Sequence, residues 1–129
     1  TRIQVSKDYA TILVPVRADE AKLQQAFLSI FKNACEAMTP GGHLHIQVSQ
    51  HRAGKGLEVQ ILIKNDGVPI PADLVDKVFE PFFTTKTLGT GLGLFVCKEI
   101  IEKHKGSLLC DSTPKKTTFS IFLPVSENF

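Results

Sequence analysis

Three glycines alternate with other residues immediately before an apolar, helix-patterned stretch, in Gly89-Thr90-Gly91-Leu92-Gly93-Leu94. Because glycine has no Cβ, its backbone can adopt positive φ and approach a ligand closely. A helix that begins at such a loop directs free N–H groups and the positive end of its dipole outward, which favours phosphate. Lys86, just before the loop, supplies a full positive charge. The segment therefore predicts a loop that leads into a helix and binds nucleotide phosphates.

The same segment could be an ordinary turn, and it does not match two familiar phosphate-binding motifs. The dinucleotide fingerprint has a different glycine spacing and follows a strand, whereas no strand-forming run leads into Gly89. In a Walker P-loop the lysine follows the last glycine, whereas Lys86 precedes all three. The phosphate interpretation therefore depends on residues elsewhere in the chain.

Size and charge limit the classes of protein. The 129 residues suit one domain, and 15 basic against 13 acidic residues give a net charge of +2. This near-balance predicts no general attraction to nucleic acid or to an anionic membrane. Cys35, Cys97 and Cys110 form no CxxC pair, and we expect reduced thiols, the first two buried, in the cytoplasm. No run is long enough to span a membrane, so any membrane anchor would belong to a longer parent protein.

Hydrophobic periodicity predicts helices alternating with strand pairs. The first helix is expected from the cap Asp19 to about Met38, a short one at 72–79, and a third from the glycine loop to Gly106. Strands are expected at residues 11–17, 43–49, 57–64, 107–111 and 117–123. This order favours an α+β two-layer domain with its helices on one face of the sheet.

A polar stripe runs along the first predicted helix. Ser29, Asn33 and Glu36 follow at i, i+4 and i+7 and share one side. An amide oxygen such as that of Asn33 is a suitable ligand for Mg²⁺, which prefers oxygen and keeps several waters. The stripe by itself is more typical of a solvated helix face.

Four motifs in order carry a resemblance to a known family. They are Asn33-Ala34-Cys35-Glu36-Ala37, Asn65-Asp66-Gly67, Phe79-Glu80-Pro81-Phe82-Phe83-Thr84-Thr85-Lys86, and Gly89-Thr90-Gly91-Leu92-Gly93-Leu94. Together they resemble the catalytic and ATP-binding domain of two-component sensor histidine kinases, within the Bergerat-fold (GHKL) ATPase superfamily. The third and fourth motifs are similar to those of the nitrogen-regulation type. The resemblance covers nearly the whole chain, residues 1–129.

The resemblance implies a fold and an activity. The fold would be a mixed, mostly antiparallel sheet with helices packed on one face. The activity would be that of a protein-histidine kinase, which binds Mg·ATP and donates the γ-phosphate to a histidine on a separate dimerisation domain. A response regulator receiver domain would accept the phosphate next. None of His43, His45, His51 and His104 precedes an acidic residue in a helical pattern, so we expect the acceptor domain upstream of residue 1.

The resemblance also assigns roles to residues. Asn33 would hold the Mg²⁺, and with Lys86 it would be catalytic. Phe79, Phe82 and Phe83 would anchor the lid, either as core aromatics or in contact with nucleotide. The implied nucleotide-binding residues are Asn33, Asn65, Gly67, Ile70, Phe83, Thr85, Lys86, Gly89, Thr90, Gly91, Leu92, Gly93 and Thr118.

The first glycine box departs from the family pattern Asp-x-Gly-x-Gly. Alignment on Gly67 puts Asn65 at the aspartate and Pro69 at the second glycine. Asn65 can still accept from the adenine amino group and donate to a ring nitrogen, but without the strength of a charge-assisted bond. Asp66 is expected to be a turn residue, although it is the other candidate for reading adenine.

Ser29 stands where hydrolytic relatives carry a glutamate that activates water, and it has no pKa suited to that task. We therefore expect negligible ATP hydrolysis by the isolated domain. Two alternatives stay open from the sequence: a related serine kinase of the anti-sigma type, and a degenerate domain that binds partners without using ATP.

Overall fold

The computed structural model describes residues 2–9, 18–38, 40–54, 56–83 and 92–125. The predicted strand at 11–17 and most of the lid and glycine loop, residues 84–91, lie outside the described residues. The elements in chain order are β1 (Arg2–Tyr9), α1 (Glu20–Ala37), β2 (Gly41–Ala53), β3 (Gly56–Asn65), a 3₁₀ helix (Val75–Lys77), α2 (Gly93–Lys103), β4 (Ser107–Ser112) and β5 (Thr117–Pro124).

The described strands form one mixed sheet in the order β1-β2-β3-β5-β4. Only β1 and β2 run parallel, and the other neighbours are antiparallel. Strands β2 and β3 form the predicted hairpin, and Gly54 has the left-handed φ of 59° that its tight turn requires. The predicted α+β fold class is confirmed, although no bounds were predicted for β1.

Both helices begin and bury one side as their sequences predict. The Asp19 side chain accepts a hydrogen bond from the Lys22 N–H at 3.1 Å and caps α1. The residues that α1 buries, Ala26, Ile30 and Ala34, recur every four positions, so they form one stripe. Helix α2 buries Cys97, Ile100 and Ile101.

The core lies between these helices and one face of the sheet. Alternate residues of β5 are buried there, and the side chains of Ile63 and Leu108 from the neighbouring strands join them. The rings of Phe79 and Phe119 meet edge to face, with their centroids 6.2 Å apart. A layer of helices on one sheet face therefore encloses the core.

Two predictions need correction. The helix expected at 72–79 is reduced to Val75–Lys77, because successive i to i+3 hydrogen bonds, such as Lys77 N–H to Leu74 O, wind the segment more tightly than an α-helix. Cys35 is exposed, because it lies on the solvent side of α1, away from the buried stripe. Among the described helices, none has the length and apolar character needed to cross a membrane.

Candidate functional site

Helices α1 and α2 pack antiparallel. At one end the Asp19 N–H donates to His104 Nε2 at 3.0 Å, which joins the start of α1 to the end of α2. Further along, the Cys97 thiol donates to the Ala26 carbonyl at 3.2 Å. Because residue numbers rise along one helix as they fall along the other, the last turns of α1 lie beside the first turn of α2.

This register brings Asn33 towards the start of α2. The Ser29 side chain lies close enough to the Cys97 thiol to lower the pKa of that thiol. Asn33 is one turn after Ser29, and Gly93, the first residue of α2, is one turn before Cys97. The half-buried Asn33 and the N-terminus of α2 therefore share one end of the molecule. They are far apart in sequence, so their proximity depends on helix packing.

The loop after β3 closes the same end. The Val68 N–H donates to the Ala37 carbonyl at 2.8 Å, so the loop is held against the last residue of α1. A Cβ on Gly67 would lie 2.2 Å from that carbonyl oxygen, which no side chain could tolerate without a shift of the backbone. We call this end of the molecule, with the last turn of α1, the first turn of α2 and the loop of residues 65–70, the loop end.

A polar cluster lies at the loop end, on the helix-facing side of three adjacent strands. Asn65 is only 3% exposed, and its Oδ1 accepts from the Gly67 N–H at 3.0 Å. Thr117 is its partner on β5, and the Thr117 hydroxyl bonds to the Ser112 hydroxyl of β4 at 2.7 Å. The Ser112 hydroxyl also accepts from the Ile70 N–H at 2.9 Å. We call Asn65, Ser112, Thr117 and the Ile70 N–H the polar cluster.

The strand register places Thr117 and Thr118 on opposite faces of the sheet. Thr118 pairs with Lys64, so it lies on the sheet face opposite to Asn65, whereas Thr117 is buried beside Asn65. Adjacent residues of a strand point to opposite faces, so only one of the two threonines can reach the polar cluster.

Ser112 was missed in the sequence. It lies on the same face of β4 as Leu108 and Cys110, because the three residues alternate along the strand. The alternation along β4 could have predicted that Ser112 lies on the helix-facing side of the sheet. Its contact with Thr117 also requires the pairing of β4 with β5.

Asp66 and Ile70 both lie in the loop after β3. Asp66 is exposed, and its Oδ1 accepts from the His43 N–H at 2.7 Å. This hydrogen bond joins the first residue after β3 to β2. The Ile70 side chain is half-buried. Asn65, rather than Asp66, therefore faces the interior of the loop end.

The three phenylalanines of the predicted lid motif differ in how far they are buried. Phe79 packs against the core, and the Lys98 ammonium lies 5.0 Å from the centre of its ring. Phe83 is half-buried, whereas Phe82 is 74% exposed and has a φ of 66°. The predicted contacts of the lid and loop lie outside the described residues and stay predictions; they are those of Thr85, Lys86, Gly89, Thr90 and Gly91.

Asn33 is the candidate ligand for a metal at this end. No group of three or more His, Cys, Asp or Glu residues suited to a metal occurs in the described part of the chain. A single amide oxygen suits Mg²⁺, which takes few protein ligands and completes its shell with water and phosphate oxygens.

The thiol of Cys97 lies beside Ser29, one turn from Asn33. Burial raises the pKa of this thiol to about 11, and the nearby Ser29 side chain offsets part of that effect. The thiol is therefore protonated at neutral pH.

Comparisons with known proteins identify the family of the chain. Residues 18–127 match the family model for the histidine kinase-, DNA gyrase B- and HSP90-like ATPases. The chain is 36% identical to sporulation kinase E of Bacillus subtilis over 129 residues, which is 99% of the chain and 17% of the relative. It is also 36% identical to the sensory histidine kinase/phosphatase NtrB of Rhizobium meliloti over 140 residues, covering 98% of the chain and 36% of the relative.

Solved structures share the fold. The catalytic domain of the histidine kinase ThkA superposes with a TM-score of 0.82 at 33% identity, covering 95% of this chain and 78% of that one. The mycobacterial sensor histidine kinase MprB gives 0.81 at 29% identity, covering 95% and 83%. This chain spans well under half the length of the curated relatives described above. The chain belongs to the family of histidine kinase-, DNA gyrase B- and HSP90-like ATPases, and its relatives in that family are sensor histidine kinases.

Proposed function

We propose that this domain binds Mg·ATP at the loop end and donates the γ-phosphate to a histidine on a dimerisation domain of the same protein. A response regulator receiver domain would then accept the phosphate. The observation that carries the proposal is the polar cluster, because buried hydrogen-bonding groups end an otherwise apolar sheet face at the place where Asn33 and the start of α2 meet.

The polar cluster suits the edge of an adenine ring. A purine has flat apolar faces and a hydrogen-bonding edge, and the cluster offers the amide of Asn65 and the hydroxyl of Thr117 beside the buried side chain of Ile63. The Asn65 oxygen accepts from the Gly67 N–H and keeps a second lone pair for the adenine amino group. In this proposal Thr117, rather than Thr118, is the threonine that binds the nucleotide.

The phosphates would extend from the adenine site towards Asn33 and α2. The 11-residue helix α2 presents its N-terminus there, where backbone N–H groups and the helix dipole favour an anion. Asn33 would hold Mg²⁺, which would offset the negative charge of the phosphates. Lys86 and the glycines at 89, 91 and 93 would add a cation and backbone donors around the transferring phosphoryl group.

The environment of Ser29 supports transfer rather than hydrolysis. A general base that activates water needs a pKa near the working pH. A serine hydroxyl is not basic at neutral pH, and burial keeps the neighbouring Cys97 thiol protonated, so neither group accepts a proton there. We propose that the phosphate goes to the acceptor histidine, in the cytoplasm, where ATP is present.

Titration of the domain with ATP, with and without Mg²⁺, tests the proposal. We expect Asn33→Ala to remove most of the Mg²⁺ dependence of binding, and Lys32→Ala, an exposed neighbour on the same helix, to leave it unchanged. Equal affinities with and without Mg²⁺ in the unmodified domain would contradict the proposed role of Asn33. Failure to bind ATP at all would favour a degenerate interaction domain.

Transfer is tested with γ-labelled ATP and the separately purified dimerisation domain of the parent protein. We expect an acid-labile, base-stable label on that domain, as a phosphohistidine gives, and little free phosphate from the catalytic domain alone. An acid-stable label on serine would favour a serine kinase instead. Sustained release of phosphate without an acceptor would contradict the role given to Ser29.

A further inference from the structure

Two histidines on β2 converge on a serine of β1. His43 and His45 are two residues apart, so their side chains share one face of the strand. Leu44, between them, is buried on the helix side, so both histidines are on the open face of the sheet. The Ser6 hydroxyl lies 2.7 Å from His43 Nε2 and 2.6 Å from His45 Nδ1.

This geometry directs two ring nitrogens at one point. A serine hydroxyl has one proton, so Ser6 donates to one imidazole and accepts from the other. The strand that carries both histidines is held on each side by β1 and β3, and the hydrogen bonds to Ser6 orient the two rings. The pair is therefore arranged as a chelate before any ion binds.

We propose that His43 Nε2 and His45 Nδ1 bind a divalent transition-metal ion, which takes the position between them that the Ser6 hydroxyl now occupies. Imidazole suits Cu²⁺, Ni²⁺ and Zn²⁺, whereas Mg²⁺ prefers oxygen. The described residues contain no group of three or more suitable side chains, so water fills the other coordination positions. The site is distinct from the Mg²⁺ site proposed at Asn33.

The surroundings of the pair admit a cation. His43 is exposed, and His45 and Ser6 are half-buried, so an ion can enter from solvent. The Asp66 carboxylate accepts from the His43 N–H at 2.7 Å, which fixes the backbone at the site and places a negative charge nearby.

One cation faces the pair from the neighbouring strand. Lys64 is the partner of His45 on β3, and its ammonium donates to Gln47 Oε1 at 3.5 Å. Its charge opposes those of Asp66 and of Asp8, which lies two residues after Ser6 on the same face of β1. The ring nitrogens remain the groups that would bind the metal. Binding should weaken as the pH falls, because protons and metal compete for those nitrogens.

Calorimetry on tag-free protein tests the chelate. The exposed thiol is first removed by Cys35→Ser, so that it cannot bind the ion. We expect one saturable site for Ni²⁺, tighter binding of Cu²⁺, and no competition from Mg²⁺. His43→Ala and His45→Ala should each abolish that site, whereas His51→Ala, an exposed histidine on the same strand, should retain it. Ser6→Ala should also retain binding, because the hydroxyl is not a ligand.

Proton NMR of the unmodified rings gives a test that does not depend on the variants folding. Addition of Zn²⁺ should shift the ring signals of His43 and His45 and leave those of His51 and His104 unchanged. Absence of saturable binding, binding that survives both alanine variants, or shifts confined to His51 or His104 would overturn the proposal. ATP binding is measured separately, so failure here does not bear on the proposed kinase function.

Discussion

The two ends of the α1–α2 pair are built differently. At the end where α1 begins, both ring nitrogens of His104 are hydrogen-bonded. Its Nδ1–H donates to the Ile100 carbonyl at 2.8 Å, and its Nε2 accepts from the Asp19 N–H. At the loop end, by contrast, the N-terminus of α2 and the half-buried Asn33 lie beside a buried polar cluster. The comparison indicates that one end ties the helices together, whereas the other is the end at which we propose that ATP binds.

The first test of this comparison is Gly67→Ala. A methyl group there would lie 2.2 Å from the Ala37 carbonyl oxygen, so the loop must move away from α1. We expect the free energy of unfolding to fall by about 1–3 kcal/mol, together with loss of ATP affinity. Urea unfolding and ATP titration measure the two effects. The matched control is Gly56→Ala, which meets nothing within 4 Å and should change neither quantity appreciably.

His104→Ala tests the opposite end. The substitution removes two hydrogen bonds at the junction of the helix ends, so we expect a loss of about 1–3 kcal/mol in the free energy of unfolding. ATP affinity should not change, because the site lies at the other end of the helices. The exposed neighbour Lys103 provides the control, and Lys103→Ala should alter stability by less than about 0.5 kcal/mol. A large loss of ATP affinity in His104→Ala would break the comparison.

Thr117→Val and Thr118→Val sharpen the description of the polar cluster. Valine at 117 removes the bond to the Ser112 hydroxyl, so we expect about 1 kcal/mol of destabilisation and weaker ATP binding. Valine at 118, on the other sheet face, should change ATP binding little. If the two variants behaved in the reverse way, the strand register would not describe the site.

The effect of the cysteines on stability is absent at neutral pH and develops only in alkaline solution. Burial raises the pKa of Cys97 to about 11 from an ordinary value of 9.0, so the thiol keeps its proton to a higher pH in the folded protein than in the unfolded chain. Stability should therefore decline as the pH rises through that interval, and less so in Cys97→Ala. At pH 8 a thiol reagent should label the exposed Cys35 rapidly and Cys97 only after unfolding. Equal labelling of both would contradict the burial of Cys97.

Much of the fold could be predicted because its signals are local. The Asp19 cap and the four-residue spacing of Ala26, Ile30 and Ala34 define α1 within a single stretch of sequence. The alternation in 43–49 and 57–64 likewise predicts the β2–β3 hairpin, since a short turn joins the two strands. The prediction at 72–79 was wrong because a hydrophobic pattern of that length does not distinguish an α-helix from a run of 3₁₀ turns.

The candidate site was predictable in part. Asn33, Asn65 and Gly67 were recognised from motifs, and the structure brings their elements to the same end of the molecule. The pairing of β5 with β3 determines that Thr117, and not Thr118, lies beside Asn65. The pairing of β4 with β5 brings Ser112 into contact with Thr117. Each of these contacts joins residues of two different strands, so the sequence pattern within one strand cannot predict it.

The sequence by itself determined the order of elements, the buried stripe of α1 and the motifs that indicate a nucleotide site, because each depends on short-range periodicity or on residue type. The tertiary structure decided which threonine lies beside Asn65, which cysteine is buried, and that Ser6 meets His43 and His45. Each of those outcomes is set by strand register or helix packing, which are fixed by contacts across the whole core.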